Sequence, residues 1–210
     1  MGEPQKPPVT AGGFCYFEGM EITFEFEDAA EIARDAHAGQ FDKNGVEYIH
    51  HPLAVARALT PFGEHARIAG VLHDVVEDSS WTLQGLLDAG VPSRSVRAVA
   101  GVTRDKESGE TYQAWIEGMT VRERYSSSDL IKPSVLASAG LDTLTPVPLV
   151  PVLKLADNLH NSLPSRNPDA RLQRRYSRAR LSLEGGLPED VVGMVHAEFE
   201  ERPEGLRAPR

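Results

Sequence analysis

An all-α bundle of eight or nine helices is the fold class that this 210-residue sequence predicts, and three observations carry the prediction. Apolar residues recur at intervals of three and four through most of the chain, the period of a helix with one buried face. Helix start and stop signals bracket those stripes. No segment sustains the one-in-two alternation of a half-buried strand. The length suits one domain, since domains run to about 100–200 residues, and it allows a core of useful size. The expected organisation is a flexible leader at 1–19, a single domain at 20–201 and a flexible tail at 202–210.

The leader holds Pro4, Pro7, Pro8, Gly12 and Gly13 without periodicity. Its Cys15 is the only cysteine, so it forms no internal disulfide and has no neighbour at metal-ligand spacing. Helix one is expected over 28–38, from the Asp28-x-x-Glu31 start, the stripe of Ala29, Ile32, Ala33 and Ala36, and the stop at Gly39. A polar turn at Asp42–Gly45 precedes a second helix directly after His51, with Pro52 in its first turn and Leu53, Val55, Ala56 and Leu59 continuing it. Further helices are expected at 64–78, 82–89, 93–103, 111–120, 148–161, 170–185 and 189–200. The segment 121–148, with Ser126–Ser128, Pro133 and Pro146, has the weakest pattern and reads as a long loop or lid.

A net charge of −9 argues against nucleic acid as a partner, because that binding relies on many Lys and Arg residues neutralising phosphates. A small phosphorylated ligand stays compatible with the acidic balance if a bound divalent cation supplies positive charge. No apolar run approaches the roughly 18 residues of a membrane span, and the N-terminus lacks the pattern of a secretory signal. These features predict a cytoplasmic protein without a membrane partner, and they leave oligomeric state open.

Two helices concentrate the polar chemistry. On a wheel started at Ile68, the residues Ala69, Leu72, Val75 and Val76 share an apolar arc, while His73, Asp74, Glu77 and Asp78 fall roughly between 140° and 280°. Three carboxylates so close repel one another unless a cation, a proton or basic partners compensate. A solvated acidic helix end is the competing reading of this string taken alone. Gly70, one turn earlier, leaves room for a ligand or for another backbone. In the second helix Lys154, Asp157, Asn158 and Asn161 share one arc, opposite Val152, Leu155, Ala156 and Leu159. A carboxylate, two amides and an ammonium suit a metal ligand surrounded by phosphate-binding donors. The Tyr48–Pro52 run adds His51. With His73, Asp74 and Asp157 it makes a mixed nitrogen and oxygen set that suits manganese, iron or a similar divalent ion.

These segments resemble the hydrolase domain of the RelA/SpoT alarmone enzymes of the HD superfamily, most closely the short stand-alone metazoan SpoT homologue type. The resemblance spans roughly 28–183 and rests on A-H-A-G-Q at Ala36–Gln40, D-K-N-G at Asp42–Gly45, Y-I-H-H-P at Tyr48–Pro52, L-H-D-V-V-E-D at Leu72–Asp78 and K-L-A-D-N-L-H-N at Lys154–Asn161. It implies an HD-domain helical bundle that removes the 3′-pyrophosphate of guanosine tetra- or pentaphosphate with one manganese ion. Carried over by position, it implies His51, His73, Asp74 and Asp157 as metal ligands and Glu77 and Asp78 as the acidic pair that serves the attacking water. It likewise implies Lys43 and Asn161 as substrate contacts, with His37 and Gln40 in support. Lys154 is assigned here to offsetting substrate phosphate charge. The basic run Arg171, Arg174, Arg175, Arg178 and Arg180, with Tyr176, reads either as distal phosphate contacts or as a solvated face.

The sequence departs from the long enzymes at Asp42, where they carry an arginine suited to stacking on guanine. That leaves an adenine alarmone or the 2′-phosphate of NADPH as alternative substrates. Oxygenation at a two-iron HD centre would need more inward histidines, for which His37, His50 and His160 are poorly spaced. An alarmone-binding or antitoxin-like protein is the alternative from outside enzymes, and the acidic pair Glu77 and Asp78 counts against it, since those charges would repel an anionic ligand.

Overall fold

The computed structural model describes residues 24–141 and 146–200; the expected leader, with Cys15, and the expected tail lie outside them. Eleven α-helical segments occur among the described residues: α1 (Phe26–Ala36), α2 (His50–Ala58), α3 (Glu64–Leu72), α4 (Val75–Asp78), α5 (Leu83–Asp88), α6 (Ser93–Val102), α7 (Tyr112–Met119), α8 (Pro133–Ser138), α9 (Leu149–Asn161), α10 (Ala170–Gly185) and α11 (Glu189–Ala197). The architecture is the expected all-α bundle. Two differences account for the larger number of helices: the segment expected at 64–78 is split, and 121–148 contains a helix of its own.

The split has a local cause. The His73 ring places Nδ1 2.8 Å from the Gly70 carbonyl oxygen, the acceptor that the Asp74 amide would use in an unbroken helix. Asp74 accordingly sits at φ −97°, ψ −8°, a sparsely used region frequent at active sites. The single wheel drawn for 64–78 therefore fails at its functional end. His73 turns into the interior, 2 % exposed, rather than onto a polar outer face.

Helix α9 is the hub, packing against α2, α3, α6, α10 and α11. Its apolar stripe of Val152, Leu155, Ala156 and Leu159 is buried as expected, but Asp157 and Asn158 on the opposite arc are buried too. A helix covered on every side belongs to the middle of a bundle. Around it, α1 and α2 pack on α3, while α7 packs on α10. Core side chains such as Leu59, Ile68, Leu72, Leu153 and Leu155 are fully buried, each contributing about 1.5–3 kcal/mol relative to exposure.

Smaller corrections follow from local bonding. Helix α1 begins two residues before Asp28, whose side chain instead accepts the Glu25 amide at 2.7 Å. Helix α2 already includes His50 and His51, with Pro52 in its first turn. Gly39 ends the first helical run with φ +74°, as a stop glycine should. The segment 121–148 is not a bare loop. It carries 3₁₀ turns at Arg122–Arg124 and Ser127–Asp129, helix α8, and a short antiparallel pair of β1 (Leu130–Ile131) and β2 (Val147–Pro148). Its Ile131, Leu136 and Val147 are buried in the common core.

Gly70 faces another backbone. A Cβ there would lie 2.8 Å from Ala56 Cα and 2.9 Å from Leu59 Cδ1, so its small size lets α2 and α3 approach closely enough to bring His51 and His73 together. Overpacking costs about 1–3 kcal/mol, against roughly 1 kcal/mol of helix propensity gained by alanine. Gly70→Ala is expected to lower stability by up to about 2 kcal/mol in urea titrations; a variant more stable than the parent would mean that α2 and α3 part without cost.

Candidate metal centre and adjoining cavity

Three elements deliver the centre: α2 brings His51, the α3–α4 junction brings His73 and Asp74, and α9 brings Asp157. Ligand atoms of His51, His73 and Asp157 lie within 4.8 Å of one another. His51 Nε2 is 3.2 Å from Asp157 Oδ1 and 3.4 Å from Asp74 Oδ2, and His73 Nε2 is 3.6 Å and 3.0 Å from the same two oxygens. The two imidazoles meet edge to face, with centroids 5.0 Å apart.

The donor set fits a divalent cation on an observation independent of any motif. Both Nε2 atoms are fully buried and have no hydrogen-bond partner among the described residues, an arrangement that costs about 1–3 kcal/mol per group unless something satisfies it. A carbonyl oxygen can only accept, so the Gly70 contact keeps a proton on Nδ1 of His73 and leaves Nε2 as the nitrogen that a cation would take. Two imidazole nitrogens and two carboxylates form a hard to borderline set.

Each carboxylate is held from behind. Asp74 Oδ2 accepts the Tyr48 hydroxyl at 2.7 Å. Asp157 Oδ2 pairs with the Lys154 ammonium at 2.7 Å and Oδ1 accepts from Asn161 Nδ2 at 2.6 Å. Burial pushes both carboxyls up. The opposing charges outweigh it, His73 first for Asp74 and Lys154 first for Asp157, and hold both well below the ordinary carboxylate range. Burial likewise disfavours a charged His73, yet Asp74 and Asp157 raise it to about 10 when no cation is present.

The remaining predicted residues separate into three groups. Glu77 lies on α4, where one carboxylate oxygen accepts the Arg104 amide at 2.8 Å and the other lies 3.7 Å from Lys106 Nζ. Asp78 ends that helix; partial desolvation, then the Asp74 and Glu77 charges, push its carboxyl up. Lys43 and Asn161 line a cavity of about 230 Å³ beside the centre, together with Asp42, Tyr48, Arg166 and Tyr176. Lys154 does not line it. Its ammonium is committed to Asp157 and lies 4.9 Å from the centre of the Trp115 ring. His37 and Gln40 form a brace: His37 Nδ1 is 2.9 Å from Gln40 Oε1, and Gln40 Nε2 donates to the Asp78 carbonyl at 2.8 Å. In the basic run, Arg175 stacks on Tyr112 at 3.6 Å, Arg171, Arg174 and Arg178 are exposed, and none of the five lines the cavity.

Tyr48 and Arg166 have no assigned role in the sequence, while His160 figures there only for a two-iron centre and Tyr176 only with the basic run. Tyr48 stands three residues before His51 and could have been read as sharing its side. His160 places Nδ1 2.7 Å from His51 Nδ1. Tyr176 reaches the cavity from α10. Arg166 pairs with Asp42 at 3.0 Å across 124 residues of sequence, a contact that no local pattern signals. Asp42 also accepts the amides of Asn44 and Val46. Its charge is thus absorbed by its own turn and by Arg166.

An HD-domain family model matches residues 29–126, which include His51, His73 and Asp74. These residues form an HD domain. The chain is 35% identical over 158 residues to a protein of Haemophilus influenzae named guanosine-3′,5′-bis(diphosphate) 3′-pyrophosphohydrolase, covering 72% of this chain and 20% of that one. It is 30% identical over 179 residues to a probable GTP pyrophosphokinase of Mycobacterium leprae, covering 82% of this chain and 20% of that one. The chain thus spans about a fifth of these relatives. A solved structure described as a metazoan ortholog of SpoT that hydrolyses ppGpp superposes with a TM-score of 0.60 at 19% identity, over 87% of this chain and 98% of that one. The shared fold extends across most of the chain.

The charges of the centre set a pH dependence. A folded imidazole raised above its ordinary 6.5 contributes stability that is fully present below 6.5 and is lost as pH rises through about 10. The urea midpoint of chelator-treated protein is therefore expected to fall across that interval and to fall less with excess divalent cation. A flat profile without metal would show that His73 is neutral throughout.

Proposed function

We propose that this HD domain is a metal-dependent phosphohydrolase that removes the 3′-pyrophosphate of guanosine tetra- or pentaphosphate, giving GDP or GTP, with one manganese ion. The observation that carries the reading is the pair of buried, partnerless imidazole nitrogens facing two carboxylates, beside a cavity of about 230 Å³ that Tyr48 and Asn161 help to line. The names of the Haemophilus and metazoan relatives support the substrate class. Iron or another divalent ion suits the same ligands. The substrate is a small phosphorylated nucleotide and the setting cytoplasmic.

His51, His73, Asp74 and Asp157 would hold the cation. When bound, it supplies Lewis acidity and lowers the pKa of a coordinated water. The protein's own groups divide the remaining work. Asp78, whose carboxyl is pushed up, is the better matched of the acidic pair to take a proton from the attacking water. Glu77, fixed by the Arg104 amide and near Lys106, orients that water. Lys43 lines the cavity and would meet the substrate phosphates there. Asn161 bridges cavity and centre, since it lines the one and bonds Asp157 in the other. Lys154 acts one step back, by orienting Asp157.

A second substrate reading rests on Asp42. Its carboxylate is occupied by its turn and by Arg166, so nothing at that position selects guanine, and an adenine alarmone or NADPH is the alternative substrate. A manganese-supplemented screen of ppGpp, pppGpp, ppApp and NADPH, resolving phosphate from pyrophosphate, decides between them. Pyrophosphate released fastest from the guanine alarmones is expected; faster phosphate release from NADPH would replace this reading, and tight binding without turnover would make the protein a sensor. Asp74→Asn should abolish turnover, and Glu77→Gln should keep metal while losing about 10²–10⁴ in rate. Equal loss of metal by both variants would refute the division of roles.

A further inference from the structure

His160 lies one helical turn beyond Asp157 on α9. Its ring lies edge to edge with that of His51, with centroids 4.9 Å apart and planes within 28° of parallel, while Phe199 flanks it at 5.7 Å. The two Nδ1 atoms face each other at 2.7 Å. In a hydrogen bond between neutral imidazoles one Nδ1 donates and the other accepts. Two arrangements follow, and they differ at the centre.

If His160 donates, the His51 proton sits on Nε2. It then points toward Asp157 Oδ1 at 3.2 Å and Asp74 Oδ2 at 3.4 Å, and occupies the lone pair a cation needs. If His51 donates from Nδ1, its Nε2 lone pair faces the point shared with His73 and Asp157. His73 has no such choice, because its Nδ1 contacts a backbone carbonyl that can only accept. The orientation of one ligand is thus built into the main chain, and that of the other depends on a side chain.

We propose that His160 is a positioning residue for metal binding: by accepting the Nδ1 proton of His51 it makes that ring a ligand through Nε2. Starting from the alternative arrangement, the His160 Nδ1 proton passes to His51 Nδ1, the His51 Nε2 proton leaves to solvent, and a solvent proton is taken up at His160 Nε2. The net proton count of the pair is unchanged. The proposal rests on the metal reading of the centre, and it adds a residue outside the four ligands that controls their affinity.

The test uses the full chain, stripped with chelator and titrated calorimetrically with Mn²⁺. His160→Phe keeps an aromatic ring beside Phe199 but removes the acceptor, and is expected to weaken Mn²⁺ binding about 10–100-fold, the usual effect of losing a partner behind a ligand. His160→Gln, whose carboxamide oxygen accepts, should recover most of the loss. Nitrogen-15 imidazole spectra of the wild-type chain loaded with diamagnetic Zn²⁺ should place the His51 proton on Nδ1. A folded His160→Phe variant with Mn²⁺ affinity within roughly threefold of wild type overturns the proposal, as does a His51 proton on Nε2 in the loaded protein. If His160→Phe fails to fold, the wild-type spectrum decides alone. Failure of the wild-type chain to bind either ion would instead bring down the reading of the centre itself.

Discussion

The bond between the His73 ring and the Gly70 carbonyl joins backbone geometry to ligand chemistry. By taking that oxygen it ends α3, turns Asp74 out of the helical path and settles which nitrogen of His73 carries the proton. The same glycine allows α2 to approach, so one residue without a side chain serves both the close helix contact and the acceptor. Shifting α2 outward would take His51 away from Asp157. The centre is therefore a consequence of how two helices touch, and its precision is inherited from core packing.

Burying two carboxylates and two imidazoles is unfavourable unless each finds compensation. Lys154 offsets Asp157, Tyr48 donates to Asp74, and Asn161 donates to Asp157. What these partners leave over is directed at one small volume, where the two Nε2 atoms have no protein partner. The arrangement fits a cation far better than a closed ion-pair network, in which donors and acceptors would saturate one another. Asp78, one turn along, lies in the residual negative field, and this contributes to raising its carboxyl.

The fold was legible because helical periodicity survives in every long element, and expected boundaries from α5 onward agree to within a few residues. Two features escaped. The interruption after Leu72 depends on an imidazole competing with an amide for one oxygen, which no wheel represents. The structure within 121–148 depends on Ile131, Leu136 and Val147 being received by a core built from distant helices. At the centre, His51, His73, Asp74 and Asp157 were readable because their motifs are dense and ordered. Lys154 was misplaced toward substrate because a wheel shows which arc a side chain occupies and not which neighbour it meets. Arg166 was invisible, since its partner Asp42 is remote in sequence.

The clasp between Asp42 and Arg166 also shapes how a ligand arrives. Because the guanidinium is matched by a carboxylate, it adds little long-range attraction at the cavity mouth. The molecule as a whole carries −9. A polyanion drifting toward it feels that repulsion once it comes within the screening distance of about 8 Å at physiological ionic strength. Diffusional capture is then helped rather than hindered by dissolved salt, the reverse of the behaviour of basic nucleotide-binding surfaces, and selectivity is exercised after contact.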